Sequence, residues 1–384
     1  MEPSKYDFSN KTSVSIYNED ALEALSRLKD NSIDSVVTDP PYGLNQNKKI
    51  DYAEIMTAWA EGREPEIKTK TGFAGLEWDA FVPSPTLWKE CLRVLKPGGL
   101  LVSFAGSRTQ GLMEMSIRLA GFQIKDMIAW HKANGFFKGC YLQREAELGG
   151  AVNNSIANRL EPITVAQKPP EGTLKSNFSK YGVGGFFFEN NYVPRVPGYE
   201  DYRPINIVRA RSRVFGREGS VGRNLPEGRI PVNIAFSHHD NCLPNEEDAN
   251  AVFSVSRDTG GCVPGCPVSE MPLTVSSKNY VLNPDKLVHT ESRASSKERV
   301  YYENEDGEEV FHHTVKPLNL MRWLTRLVTP PGGVTLDPFL GSGTTAEAAV
   351  MEGRSCIGSE VSTDYIGLIE KRMERVEGWL ETDQ

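Results

Sequence analysis

The sequence predicts an α/β protein: a mostly parallel, twisted sheet with helices on its faces, interrupted by an irregular inserted module. Three observations lead there. Strand and helix signals alternate up to about Gly135 and again after about Glu309, the rhythm of a parallel sheet with helical crossovers. Between those points the rhythm is lost, and the chain becomes rich in Gly, Pro, Asn and Arg with aromatic clusters such as Phe186-Phe187-Phe188. Finally, 384 residues exceed what a single core usually organises, and a long structureless loop inside one core is improbable, so the middle reads as a second module. Composition is that of an ordinary soluble globular chain, with 39% hydrophobic and 24% charged residues, and no apolar run approaches bilayer length. The N-terminus has no secretory signature, so the expected location is the cytoplasm.

Taken in order, Val14 to Tyr17 reads as a short strand, and Asp20 to Leu28 as a helix with Leu22, Leu25 and Leu28 on one side. Ile33 to Thr38, rich in β-branched residues, reads as a buried strand. It runs into Asp39-Pro40-Pro41-Tyr42-Gly43, where two prolines end any regular element. After a polar stretch, Pro85 to Leu95 reads as a helix, Leu100 to Ala105 as a strand, Thr109 to Ala120 as a helix and Phe122 to Trp130 as a strand. The C-terminal part supplies a helix over Leu318 to Val328, a strand over Val334 to Leu336 and a glycine loop over Gly341 to Gly343. A helix over Thr344 to Met351, a strand over Ser355 to Ser359 and a last helix follow. The expected organisation is therefore 1–135 and 310–384 as two halves of one domain, with 136–309 inserted.

Two motifs carry chemistry. Asp39-Pro40-Pro41-Tyr42 stands at the carboxyl end of a buried strand, where ligands bind in open α/β sheets. A carboxylate and a backbone carbonyl there would accept the two N–H groups of an exocyclic amine and turn its lone pair toward an electrophile. The Tyr42 ring would stack on a base rotated out of a duplex. The second motif, Asp337-Pro338-Phe339-Leu340-Gly341-Ser342-Gly343-Thr344-Thr345, leads from a strand through a glycine turn into a helix N-terminus. Such a turn lets a ligand approach the backbone. No Lys follows the last glycine, so it is not a phosphate-binding Walker loop. Glu360, ending the next strand, is spaced to accept ribose hydroxyls.

Together these motifs resemble those of the S-adenosylmethionine-dependent DNA amino-methyltransferases, in the β-group order with the catalytic motif first and the cofactor loop last. Arg93-Val94-Leu95-Lys96-Pro97-Gly98-Gly99 and His313-Thr314-Val315-Lys316-Pro317 are similar to two further segments of that family. The resemblance implies a Rossmann-like methyltransferase fold with circularly permuted motif order and an inserted target-recognition module. It implies that Asp39, Pro40, Pro41 and Tyr42 form the catalytic loop. Asp337, Pro338, Phe339, Gly341, Ser342, Gly343 and Thr344 would surround the cofactor's methionine part, with Glu360 at its ribose, Asp20 at its adenosine end and Lys316 at its carboxylate. The implied reaction is methylation of adenine N6 in double-stranded DNA, since Asp rather than Ser precedes Pro-Pro-Tyr. Cytosine N4 is the alternative, and an RNA or protein amine a more distant one. Protein glutamine methyltransferases share an X-Pro-Pro-Tyr loop but have Asn first and the reverse motif order. A homodimer and a restriction endonuclease partner are compatible with the resemblance, as is action without either.

The inserted module adds two features. From Lys168 to Arg229 there are eleven Lys or Arg against six Asp or Glu, a basic segment inside a chain of net charge −8. Its guanidinium forks suit phosphate contacts and guanine reading. His238-His239-Asp240-Asn241-Cys242 is followed, nineteen residues on, by Cys262-Val263-Pro264-Gly265-Cys266. Either a structural zinc site of His239, Cys242, Cys262 and Cys266, with His238 as the other candidate nitrogen ligand, or reduced thiols in a small core accounts for that spacing.

Overall fold

The computed structural model describes residues 2–44, 50–65, 79–136, 158–188, 234–236, 298–304 and 307–382. Eleven strands and eight helices are described. In chain order they begin β1 (Ser4–Asp7), β2 (Ser13–Tyr17), α1 (Ala21–Ser26), β3 (Ile33–Thr38), α2 (Tyr52–Ala60), α3 (Pro85–Val94), β4 (Leu95–Phe104), α4 (Gln110–Leu119) and β5 (Gln123–Phe136). There follow β6 (Asn158–Gln167), α5 (Leu174–Tyr181), β7 (Ile234–Phe236), β8 (Tyr301–Glu303), β9 (Glu309–Phe311), α6 (Leu318–Val328), β10 (Val334–Asp337), α7 (Thr344–Met351), β11 (Ser355–Ser359) and α8 (Thr363–Thr382). No helix among the described residues is long and apolar enough to cross a membrane.

One nine-stranded sheet runs β1-β2-β11-β10-β3-β4-β6-β5-β7, and β8 and β9 form a separate hairpin. Its centre is parallel: β2 on β11, β11 on β10, β10 on β3 and β3 on β4. Antiparallel pairs flank it, β1 on β2 at one side and β6 between β4 and β5 at the other. Side-chain alternation assigns the faces. Val36 and Leu101 pack with α1, α3 and α4, whereas Val37, Leu100 and Val102 pack with α6. In α6, Leu320, Met321, Leu324, Leu327 and Val328 are buried, the i, i+3, i+4, i+7 stripe that seats a helix on a sheet.

The join between β3 and β10 brings the early and late parts of the chain together. Thr335 pairs with Ser35 and Leu336 with Val36. Polar side chains reinforce it: Ser35 Oγ lies 2.7 Å from Thr329 Oγ1 and donates to Thr335 Oγ1 at 3.0 Å, and Val334 N donates to Asp34 Oδ2 at 2.8 Å. From β10 the chain proceeds outward to β11, which lies on β2, and from β3 it proceeds outward the other way to β4. The crevice beyond Thr38 and Asp337 is thus the sheet's topological switch point.

The elements differ from expectation in several places. β1, α2, β6, α5, β7 and the β8–β9 hairpin were not expected, and β4 begins at Leu95 rather than Leu100. The early start of β4 passes through a register shift between Ile33/Leu95 and Ser35/Leu100. Gly98, at φ +81, occupies that irregularity where a Cβ would collide with Asn177 of α5. Asn177 Nδ2 donates to Pro97 O and Val183 O, each at 2.9 Å. β6 carries Pro162, which argues against a central strand. The proline sits where β4 ends, its carbonyl accepting from Ala105 N at 3.0 Å, so the missing N–H falls at the last rung. The sheet therefore continues past the boundary expected at residue 136, because β6 and α5 pack with it.

Candidate functional site

Asp337 ends β10 and is 1% exposed. Its Oδ1 accepts from Thr38 Oγ1 at 2.7 Å and Phe339 N at 3.0 Å, and its Oδ2 accepts from Thr345 Oγ1 at 2.6 Å. One carboxylate therefore ties the end of β3, the turn after β10 and the start of α7. Burial pushes its carboxyl up to about 6, against the pull of these three donors.

The glycine loop follows. Gly341 and Gly343 have φ of +55 and +84, a region L side chains avoid. Gly341 N donates to Glu360 Oε2 and Ser362 N to Glu360 Oε1, each at 2.9 Å, so Glu360 braces the loop from the end of β11. Burial raises the Glu360 carboxyl to about 7. Behind the loop, Arg372 of α8 donates from Nε to Ser342 O at 2.7 Å and pairs with Glu347 of α7, both side chains fully buried. Ser359 Oγ donates to Pro338 O at 2.9 Å, Phe339 packs at the margin of the α1–α4 core, and Thr344 is buried at the start of α7. Asp20 lies on the same rim but is exposed, and its Oδ1 caps α1 by accepting from Leu22 N at 2.8 Å. Two residues before it, Asn18 Nδ2 donates to Glu360 O at 2.8 Å, which joins that rim to the loop.

Asp39-Pro40-Pro41-Tyr42 turns directly off β3. Tyr42 is held at three points. Its N donates to Asp79 Oδ1 at 2.6 Å, its carbonyl accepts from Thr109 Oγ1 at 2.6 Å, and its hydroxyl donates to Glu161 Oε2 at 3.1 Å. Pro40 is buried and Pro41 half-buried. Asp39 Oδ2 accepts from Lys316 Nζ, whereas Asp39 Oδ1 is buried and has no hydrogen-bond partner among the described residues. A buried acceptor of this kind costs free energy unless something fills it, and a bound donor would. Burial raises the Asp39 carboxyl above its usual range against the pull of Lys316. Burial opposes the charge on Lys316 too, but Asp39 and Glu161 more than offset it and hold the ammonium above its usual range.

The structure thus sets the two motifs side by side at the ends of β3 and β10, with Glu360 on the glycine loop and Asp20 exposed at the start of α1. Lys316, expected at the cofactor's carboxylate, is set on the catalytic turn, paired with Asp39 and 3.8 Å from Glu161 Oε2. His239, Cys242, Cys262 and Cys266 and the arginine run Arg195 to Arg229 lie outside the described residues. Among the described residues no group of three His, Cys, Asp or Glu side chains could hold a metal ion. Four contributors escaped the sequence reading: Glu161, Asp79, Thr109 and His312. His312 packs against Gly341 and edge-on to Tyr365, 4.6 Å between centroids. Burial, aided by Lys316, lowers its imidazole to about 3, and its Nδ1 accepts from Thr314 N at 3.2 Å. Nothing in their local sequence distinguishes these residues, because each reaches the site across the sheet or from another loop.

A glycine loop and a proline-turn carboxylate facing one another at the switch point of a mostly parallel sheet define a Rossmann-like methyltransferase with the catalytic turn encoded before the loop. The sequence model of the N6/N4 DNA methylases matches residues 33–371, and the chain belongs to that family: it is a DNA amino-methyltransferase. It is 24% identical to the type II methyltransferase M.HindIII of Haemophilus influenzae, over 93% of this chain and 94% of that protein. A shorter match is to the DNA adenine methyltransferase YhdJ of Escherichia coli, 38% identical over 16% of this chain and 21% of that protein. Among solved structures, the cytosine-N4-specific PvuII DNA methyltransferase aligns over 99% of this chain and 94% of its own, with 16% identity and a TM-score of 0.46. A DNA modification methylase of Thermus thermophilus in complex with S-adenosylmethionine aligns over 94% of this chain and 95% of its own, with 19% identity and a TM-score of 0.42.

Proposed function

We propose that the protein uses S-adenosylmethionine to methylate the N6 amine of adenine in a specific duplex DNA sequence, with the target base rotated out of the helix. The observation that carries this reading is the buried, unpartnered Oδ1 of Asp39 beside an Oδ2 held by a lysine. An exocyclic amine would fill that vacancy with one N–H. Its second N–H would go to a backbone carbonyl of the turn, and the Tyr42 ring, fixed at both ends, would receive the base face.

The residues present fit the cofactor. Gly341 and Gly343 hold the loop in a tight positive-φ turn at whose Cβ positions His312 and Ile369 stand, and Glu360 and Asp20 would supply acceptors along the rim for ribose and adenosine. Asp337, Pro338, Phe339, Ser342 and Thr344 form the wall around the methionine part. When bound, S-adenosylmethionine would supply a methyl group on a sulfonium for displacement by the amine lone pair, the S–C pair remaining on sulfur and the amine's surplus proton passing to solvent. The chain's own contribution is orientation of the amine by Asp39 and Tyr42, and negative charge where positive charge develops.

In this reading the segment 136–309 beyond β6 and α5 reads the DNA sequence through its arginines, and the zinc set His239, Cys242, Cys262 and Cys266 is an expectation that metal analysis of chelator-free protein tests. Adenine is preferred over cytosine because Asp39 rather than Ser opens the motif. The deciding experiment is incubation with labelled S-adenosylmethionine and mixed-sequence duplex DNA, followed by nucleoside mass analysis. N6-methyladenine is expected, and N4-methylcytosine would overturn the choice of base.

A further inference from the structure

Glu161 lies in β6, far in sequence from both motifs, yet its Oε2 is shared by two members of the catalytic turn. It accepts from the Tyr42 hydroxyl at 3.1 Å and stands 3.8 Å from Lys316 Nζ, while Lys316 pairs with Asp39. The three charged side chains are 15%, 9% and 22% exposed for Glu161, Lys316 and Asp39. Lys316 Nζ also lies 5.3 Å from the Tyr42 ring centroid and 5.0 Å from that of Phe104, so its surroundings are two carboxylates and two aromatic rings. We propose that Glu161 is a positioning residue for the transfer: it holds the Lys316 ammonium and the Tyr42 phenol against Asp39 and leaves the cluster with one negative charge in excess.

Charge balance gives Glu161 this role, on the basis of the function proposed above. Lys316 alone would neutralise Asp39, and a neutral pair gives little to an amine that becomes cationic. A second carboxylate changes that. It keeps Lys316 charged although buried, fixes Asp39 Oδ2 so that Oδ1 is the oxygen presented, and restores a net negative field at the position where positive charge appears. Glu161 suits the task because it is paired with Trp130 of β5 and lies next to Pro162, whose carbonyl accepts from Ala105 N at 3.0 Å where β4 ends, so its backbone is fixed. Glu161 touches neither of the two motifs' ligands in this assignment and acts through Lys316 and Tyr42.

The test is Glu161→Gln, which keeps the volume and an acceptor for the phenol and removes the charge, with Glu161→Asp as the conservative partner. Two readouts are taken. Single-turnover transfer to duplex DNA at saturating cofactor is expected to fall about tenfold, with cofactor Kd within about twofold of the parent and partial recovery in Glu161→Asp. Independently of activity, 15N NMR of the lysine ammonium groups, with Lys316 assigned by Lys316→Arg, is expected to show Lys316 losing its proton at lower pH in Glu161→Gln. The groups acting on that titration are Asp39 and Tyr42 from the turn, Glu161 from β6, Asp337 from β10 and His312 before α6. An unmoved Lys316 titration overturns the proposal, as does an unchanged transfer rate in Glu161→Gln. Absence of methyl transfer by the parent protein would instead overturn the proposed function, and the lysine titration would still decide whether Glu161 holds the cluster. Should Glu161→Gln fail to fold, the same two readouts on Glu161→Asp, with a smaller shift and loss expected, decide it.

Discussion

Asp39 and Asp337 stand at the carboxyl ends of neighbouring parallel strands, β3 and β10, each followed by proline, Asp337 fully buried and Asp39 partly so. Their surroundings differ. Asp337 is filled by two threonine hydroxyls and a backbone N–H, so it joins segments and has little left to offer. Asp39 has one oxygen held by Lys316 and the other empty. Two carboxylates at the same edge of one sheet, offset by two residues in register, thus serve architecture and chemistry according to which partners the rest of the chain brings to them. Preorganised polar groups left unsatisfied are expensive to fold around and useful at a reacting atom, which is why only one of the two is left open.

Substitutions can break this comparison. The largest effect is expected for Asp39→Ala, which should lower the rate of methyl transfer by on the order of 10²–10³ while lowering the thermal midpoint only modestly, because Lys316 loses one carboxylate partner but still faces Glu161. A fall in stability matching that in rate would show Asp39 to be architectural as well. For Asp337→Ala the weight shifts to stability, with a loss of about 1–3 kcal/mol as two hydroxyls and an N–H lose their acceptor. Denaturant titration measures it, and an unaffected midpoint would remove Asp337 from the joint.

Tyr42→Phe tests the turn more gently. Loss of the bond to Glu161 should cost about 0.5–1.5 kcal/mol in transition-state stabilisation, visible in kcat and sparing cofactor affinity. Equal losses in both would mean that the phenol supports the whole cleft. The smallest effect concerns pH. Glu360, raised to about 7, binds its proton more tightly folded than unfolded. Its contribution to stability is therefore fully present below the ordinary carboxylate range and is lost as pH rises through about 7. Glu360→Gln should match the parent's melting temperature near pH 4 and exceed it increasingly toward pH 8. A difference independent of pH would place Glu360 in water rather than against the loop.

Much of the sheet was legible because its signals are local. Ile33–Thr38 is fully buried and β-branched, and the stripe of α6 and the glycine turn before α7 each occupy one short stretch. β6 was hidden by Pro162, which is harmless only because β4 stops beside it, and α2 by a polar neighbourhood. Lys316 was recognised as part of the site, but its pairing with Asp39 was not legible, since a motif identifies a residue type and not the side chain it meets.

Short-range order, alternation and turn chemistry are encoded in adjacent residues, so the sequence by itself determined the central strands, the proline turn, the glycine loop and the order in which they occur. Which carboxylate is filled, which is left open, and that Glu161 reaches Tyr42 and Lys316 were decided by tertiary structure alone. Those contacts join residues 119 to 277 positions apart, and they exist only once β10 has paired with β3 and β6 has entered beside β4.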